Sequence, residues 1–424
     1  MSATDTGARL PAKQVLAVVS GNALQFYDFV TYAFFAAQIG RTFFPSGTPG
    51  TSLLASLATF GAGFLTRPLG ALIIGRYADR VGRKPAMLLS FWLMGVAMLA
   101  LPLVPSYASI GIAAPILVIA LRLLQGFALG GEVGPSTAFL MEAAPPLRRG
   151  FYISLQATGA DAAVLVAGLV GVGLAGMLDA AALDAWGWRV ALLLGAVIIP
   201  FGLVLRRSLA ETLHHAAPDP VPAAGVGAYT RIAVVGLALM ATATTANYLL
   251  NYMTTYANST LGMASQVAFG ATAVVGAAGL LFDPLGGLLS DRFGRKRVIL
   301  IAWLTLAVCI FPCFRLLEQL RSGPALYLAA AVLASSSTLA GTTALVAITE
   351  SLPRRVRARG FGLIYASSIA VFGGSTQVLA LWFTQRTGNP LAPAWYMTGA
   401  VVVGLTALVF LRETAPVKTG RIDS

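Results

Sequence analysis

Charge is scarce in this chain: 11% of its 424 residues are Asp, Glu, Lys or Arg, against about 25% in ordinary soluble domains. Cysteine and histidine number two each. Cys309 and Cys313 stand four apart on one face of one apolar run, so packing explains them and a disulfide framework is excluded. His214 and His215 fall in a polar stretch and read as a solvated loop tip rather than a metal site. The sequence shows no metal-ligand cluster, nucleotide loop or nucleophile–base pair. An enzyme is therefore not expected, and neither is a metal or an organic cofactor.

Apolar residues, in contrast, make up 57% of the chain, and the mean hydropathy is +0.79. Runs of about 20 apolar residues, long enough to cross a hydrocarbon core of roughly 30 Å, recur along its length. Charge clusters and Pro/Gly turns divide them into twelve, at about 14–40, 52–78, 86–104, 112–141, 150–178, 188–206, 230–256, 265–290, 298–317, 325–349, 359–385 and 393–412. Long runs rich in Gly and Ala, without ten-residue alternation, favour helices over a barrel. The predicted class is an all-α polytopic membrane protein. No cleavable leader is expected, because the first thirteen residues are polar and the first apolar run is too long and contains Asp28.

The net charge of +13 is distributed by topology. With the N-terminus placed in the cytoplasm, that side carries 22 of the 29 Lys and Arg. The other side carries Arg41, Arg189, Arg315, Arg321 and Arg386, while Arg67 and Arg122 fall within apolar runs. This is the positive-inside bias of a bacterial-type inner (plasma) membrane protein with both termini cytoplasmic. It argues against nucleic acid as a partner; lipid surrounds the chain instead.

The sequence is also doubled. GRYADRVGRK begins at Gly75 and GLLSDRFGRK at Gly287, 212 residues apart, which is half of 424. A second pair, EAAPPLRRGF from Glu142 and ESLPRRVRARGF from Glu350, repeats at an offset of 208. Two motifs with nearly one offset imply a six-helix unit written twice: residues 1–207 and 230–424, joined by a Pro- and Ala-rich linker at 208–229. Six plus six helices with Asp-Arg-x-Gly-Arg/Lys in each 2–3 loop resemble the major facilitator superfamily over essentially the whole chain. That resemblance implies two bundles rocking about a site near the midplane. Asp79 with Arg83, and Asp291 with Arg295, then read as a latch present once per half, with Gly82 and Gly294 making the tight turns. Glu142 and Glu350 fall at the same cytoplasmic gate.

Ionisable groups inside apolar runs are costly, and each is a functional candidate. Asp28 lies about fourteen residues into the first run, roughly 21 Å deep at 1.5 Å per residue. Arg122 lies at matching depth in the antiparallel fourth run, so the two can pair, either as a fixed structural pair or as one that a proton breaks. Glu132 sits near the midplane and reads as a second proton site or a packed neutral carboxyl; Asp161, at similar depth, is placed to line a cavity. Arg67 and Asp283 each precede a proline, where a charged side chain can satisfy freed backbone groups. Helix seven carries Asn247, Tyr248, Asn251 and Tyr252 along one side; Asn22, Gln25, Tyr27 and Tyr32 decorate helix one, with Gln125, Gln156, Tyr365 and Gln377 on later helices. Such groups point inward, for interhelical bonding or for substrate.

A narrower similarity follows from GNALQFYDF, LTRPLGALIIGRYADRVGRK, RLLQGFALGGEVG and TESLPRRVRARGFGLIYA. They look like the metabolite:H⁺ symporter family, whose members carry citrate and other carboxylates, or zwitterions such as proline and betaine. The resemblance implies roles in coupling or substrate contact for Asp28, Arg122 and Glu132. The acid that this family commonly carries shortly before the helix-one Asp is replaced here by Gln25. Helix one and NYMTTY look closest to tricarboxylate carriers, and Arg67 and Arg122 are the intramembrane cations available to an anion. The reading is a monomeric carrier coupling protons to a small organic anion, with substrate contacts from Arg67, Arg122, Asn22, Tyr27, Tyr32, Gln125, Gln156, Asp161, Asn247, Tyr248 and Asn251. A zwitterion symporter, a uniporter or an exchanger are the alternatives. A sensor of the same fold would need an appended domain, and only a dozen residues follow Arg412.

Overall fold

The computed structural model describes residues 12–81, 83–197, 226–353 and 357–420. Twelve helical spans follow one another in these residues. In the first half they are α1 (Ala12–Phe34), α2 (Pro49–Leu65, continued by Arg67–Val81), α3 (Arg83–Ala100), α4 (Ala113–Gly130, continued by Val133–Ala143), α5 (Arg149–Met177) and α6 (Trp188–Val197). In the second they are α7 (Val226–Thr255), α8 (Ser265–Phe293), α9 (Arg295–Leu320), α10 (Gly323–Ser351), α11 (Arg357–Ser368, a π turn, then Gly374–Thr387) and α12 (Ala392–Phe410). Among the described residues, nine helices are long and apolar enough to span a bilayer by themselves. Most of the predicted linker, 208–225, lies outside the described residues, and its last residues already belong to α7.

The helices begin and bend where their sequences say they should. Thr48 caps α2 by accepting from Thr51 N–H at 3.3 Å, with Pro49 at the first helical position, where a missing N–H costs nothing. Lower down, Pro68 cannot donate to the turn before it, and the helix breaks at Thr66. The Thr66 hydroxyl donates to Leu123 O of α4 at 2.6 Å, tying the break to its neighbour. The two parts of α4 meet at Gly131 and Glu132. At the tight turn of the second duplicated motif, Gly294 adopts φ +100°, a conformation that a side chain would strain.

With no water to expel between lipid-embedded helices, close backbone contact supplies much of the packing. A Cβ at Gly126 would collide with Gly63 O, and one at Gly130 with Arg67 O, so α2 and α4 touch along the stretch that carries Arg67 and Arg122. The long interface between the halves is α5 against α8. It runs from Gly150 beside Gly287 at the basic end, past Asp161 beside Gly279, to Gly171 against the Phe269 ring. On the other side Gly61 of α2 meets Gly374 of α11. The halves thus enclose a central space between α1, α5, α7, α8, α10 and α11.

Candidate functional site

Three polar assemblies interrupt the apolar interior. The first joins α1 to α4. Asp28, Arg122 and Gln125 have no solvent-exposed surface. Arg122 Nη1 donates to Asp28 Oδ2 at 3.3 Å and to Gln125 Oε1 at 2.6 Å, and Gln125 Nε2 donates to the same Asp28 oxygen at 2.9 Å. The guanidinium lies 3.9 Å from the Tyr32 ring centroid and 5.5 Å from that of Phe29. A bidentate pair would use both oxygens and two nitrogens. Here Asp28 Oδ1 and Arg122 Nε and Nη2 have no hydrogen-bond partner among the described residues. Depth matching placed these two charges together; Gln125, three residues along the same helix face, completes the triangle.

The second assembly is the central cavity, about 140 Å³ in volume, roughly the space of five water molecules in the liquid. Gln156 and Asp161 of α5, Asn247, Tyr248 and Asn251 of α7, and Asp283 of α8 line it, together with Thr338 and Thr342 of α10 and Tyr365 of α11. Asn251 Nδ2 donates to Asn247 Oδ1 at 3.0 Å, and Asn251 Oδ1 is left without a partner. Gln156 Oε1 accepts from Thr137 at 2.5 Å. Asp283 is bonded across helices rather than to backbone freed by Pro284: its Oδ1 accepts from Thr342 Oγ1 at 2.5 Å. The Asp161 carboxyl lies against Gly279, one turn before Asp283 on α8. A larger apolar groove, about 1010 Å³, runs between α7, α11 and α12, but its lining includes no charged residue.

Arg67, 3% exposed, lies behind one of the cavity's lining residues, Phe29. Its guanidinium stacks 4.4 Å from the Phe64 centroid and 4.9 Å from that of Phe29. The Phe64 ring in turn packs 5.3 Å from that of Tyr248, which lines the cavity. No carboxylate stands within ion-pair distance of it among the described residues. Phe29 is therefore a shared wall, with Arg122 and Arg67 both stacked upon its ring.

The third assembly lies at the basic end, in the second copy of the duplicated motif. Asp291 accepts from Gly150 N at 2.9 Å and Phe151 N at 3.0 Å, the first turn of α5 in the opposite half. An anion is favoured there by the unpaired amides and dipole of a helix N-terminus. Arg295 holds Asp291 at 2.7 Å and grips Glu350 with Nε at 3.1 Å and Nη2 at 2.9 Å. Thr414 donates to Glu350 at 2.7 Å, and Glu413 accepts from the Arg295 and Lys296 amides. Asp291, Arg295 and Glu350 thus form one network that crosses between the halves.

Other candidate residues fall elsewhere. Tyr27 donates to Ala191 O of α6 at 2.9 Å and does not line the cavity; Tyr32 belongs with Arg122 and Ser56. Glu132 is buried at the break in α4, outside the cavity lining. The side chains of Asn22, Gln25, Asp79, Arg83 and Glu142, and residue Gly82 as a whole, lie outside the described residues. Phe29, Thr338 and Thr342 were not singled out from sequence. The run SSSTLAGTT at 335–343 is a visible signal, being unusually polar for an apolar helix.

Known proteins match this arrangement along its whole length. The family described as sugar (and other) transporter matches residues 13–215 and 225–424. A citrate-proton symporter of Klebsiella pneumoniae is 37% identical, covering 99% of this chain and 96% of its own. The alpha-ketoglutarate permease of Escherichia coli (strain K12) is 36% identical over 97% of this chain and 96% of its own. A proline/betaine transporter of the same organism is 33% identical over 95% and 84%. Among solved structures, a D-xylose-proton symporter superposes with a TM-score of 0.75 over 97% of this chain and 99% of its own, at 17% identity, a likeness of fold. The chain belongs to the sugar (and other) transporter family of the major facilitator superfamily, a multi-pass membrane transporter and not an enzyme.

Proposed function

We propose that this protein imports a small organic anion, a di- or tricarboxylate such as citrate, by coupling its entry to protons across the bacterial inner membrane. The observation that carries the reading is Arg67: a buried guanidinium behind the cavity-lining Phe29, stacked on aromatic rings and without a carboxylate partner among the described residues. An uncompensated cation in a low-dielectric site is costly, and a carboxylate ligand is what relieves it. The citrate-proton symporter and alpha-ketoglutarate permease among its relatives carry the same substrate chemistry in their names.

Asp28 supplies the coupling. A proton on its carboxyl removes the charge that holds Arg122, whose Nε and Nη2 have no partner to lose. Arg122 then shifts against Phe29, the ring it shares with Arg67, so protonation on one side of that ring is felt at the substrate side. At the basic end, taken as cytoplasmic, Asp291 releases the first turn of α5 when the halves rock open. Both termini lie on that side, and one chain suffices for the cycle.

One observation favours a second reading. Asp161 and Asp283 on the cavity wall suit the ammonium end of a zwitterion, and proline/betaine transporters are among the relatives. The test is purified protein in liposomes under an inward proton gradient, offered citrate, proline or betaine while internal pH is recorded. Acidification with citrate alone is expected. Acidification with proline or betaine instead would overturn the anion assignment, and uptake of citrate without acidification would overturn the coupling.

A further inference from the structure

The cavity contains a feature that substrate and the Asp28 pair leave unused. Asp161 of α5 and Asp283 of α8 are brought together across the interface, one carboxyl from each half: the Asp161 carboxyl lies against Gly279, one turn before Asp283 on the same face of α8, and both residues line the cavity. The approach is enforced by the backbone: a Cβ at Gly279 would collide with the Asp161 carboxyl, and one at Gly276 would collide with the backbone at Leu165. Asp283 is 1% exposed and Asp161 7%. Thr342 occupies Asp283 Oδ1, and Oδ2 has no hydrogen-bond donor among the described residues.

Ionised carboxylates only accept hydrogen bonds, so two of them in contact repel unless a proton sits between. A cation could do the same work, but no Lys, Arg or His is among the cavity-lining residues. The charged groups on neighbouring elements lie outside the cavity lining. Asp28 of α1 is held by Arg122 of α4, Arg67 of α2 stacks on Phe64, and Glu350 of α10 is gripped by Arg295. Glu132 of α4 is outside the cavity lining, and Tyr248 of α7 and Tyr365 of α11 bring hydroxyls only. The same cavity exposes a second buried acceptor without a donor among the described residues, Asn251 Oδ1, on a residue 5% exposed.

We propose that Asp161 and Asp283 share a proton across the interface between the halves, forming a second coupling site beside Asp28. The site rests on the reading of the chain as a proton-driven anion carrier and extends its stoichiometry. In the closed arrangement one carboxylic O–H donates to the other carboxylate. When α5 and α8 part, water enters, the proton leaves, and two separated carboxylates remain. Reprotonation precedes anion entry, because a doubly charged wall repels a carboxylate; the solute therefore enters with this proton as well.

Infrared titration of the purified protein tests the pair without any solute. The wild type should keep a protonated-carboxyl stretch at neutral pH that the Asp161→Asn/Asp283→Asn double variant lacks and Asp28→Asn retains. An unchanged band in the double variant overturns the shared proton. Should the double variant fail to fold, Asp161→Asn alone, which leaves Thr342 bonded to Asp283, provides the comparison. Liposome accumulation then counts protons, using whichever of citrate, proline and betaine the wild type takes up. Each coupled proton raises limiting accumulation about tenfold per unit of pH difference, so the limiting accumulation of the double variant should fall about tenfold per unit. Equal accumulation overturns the second site and leaves Asp28 standing. A wild type indifferent to pH but driven by sodium overturns both readings together.

Discussion

Two buried arginines, 55 positions apart in sequence, receive opposite treatment from the fold. Arg122 is given a carboxylate, an amide and a tyrosine face, all from α1 and α4 of its own half. Arg67 is given two phenyl rings and, among the described residues, no carboxylate. Cation–π contact offsets only about 0.5–2 kcal/mol of a desolvated charge, far less than a carboxylate would. One arginine is thus satisfied within the protein and titrated through its partner. The other is kept unsatisfied, so that the missing anion must come from outside.

Truncating each arginine separates these roles most sharply. Arg122→Gln leaves Asp28 buried beside an amide, and removing one partner of a buried pair costs about 3–5 kcal/mol. The thermal midpoint in detergent should fall markedly, with transport lost alongside it. Arg67→Gln orphans no carboxylate, so its midpoint should hold or rise while anion affinity drops on the order of 100-fold, the worth of two charge-assisted hydrogen bonds. Melting curves with and without citrate decide the matter: wild type gains stability from citrate, and Arg67→Gln does not. Equal destabilisation by the two substitutions would abolish the distinction.

Asp28→Asn comes next in size. It mimics the protonated state, keeps the side chain's shape and retains a bond to Gln125. Limiting accumulation should fall about tenfold per unit of pH difference, while exchange of internal for external solute persists at a rate within about tenfold of wild type, a barrier change of about 1.4 kcal/mol. The pH dependence of exchange should become shallower, because the variant cannot lose this proton. Parallel loss of exchange and accumulation would make Asp28–Arg122 a structural pair.

How much of this was legible in the sequence depends on whether a contact is set by depth or by rotation. Depth is one-dimensional and can be counted, which is why Asp28 and Arg122 could be matched on antiparallel runs, and why the duplicated motif located the end where Asp291 bridges the halves. The stripe Asn247, Tyr248 and Asn251 was readable because spacing within one helix fixes a face, and these residues do line the cavity. Rotation of one helix against another is not counted this way. Tyr27, one residue before Asp28, turns to α6 and bonds Ala191. Asp283 looked like a prop for Pro284 because its proline is its sequence neighbour, whereas Asp161 and Thr342 are its neighbours in space. The hydroxyls of α10 were ambiguous for another reason. Thr338 and Thr343 satisfy themselves on carbonyls four residues back, so a polar run alone does not reveal that Thr342 reaches across.

The smallest effect expected is also the one that asks whether the two arginines communicate. Phe29 contacts both guanidiniums, at 5.5 Å from Arg122 and 4.9 Å from Arg67, and packs 4.5 Å from Phe64, measured to the Phe29 ring centre. Phe29→Leu keeps an apolar side chain there and leaves every hydrogen bond of the Asp28 triangle in place, but it removes the ring face on which each charge rests. The lost stacking is worth about 1 kcal/mol per arginine, enough for a several-fold loss of citrate affinity and no more. Coupling should suffer separately. If a shift of Arg122 reaches Arg67 through this ring, the pH dependence of citrate binding in Phe29→Leu should be shallower than in wild type. Phe64→Leu, which removes a ring stacked on Arg67 but not on Arg122, should weaken citrate binding by a similar factor and keep the full pH dependence. Identical pH profiles in the two variants would mean that the arginines share a wall without sharing a signal, and the coupling would then have to pass through movement of α1 as a whole.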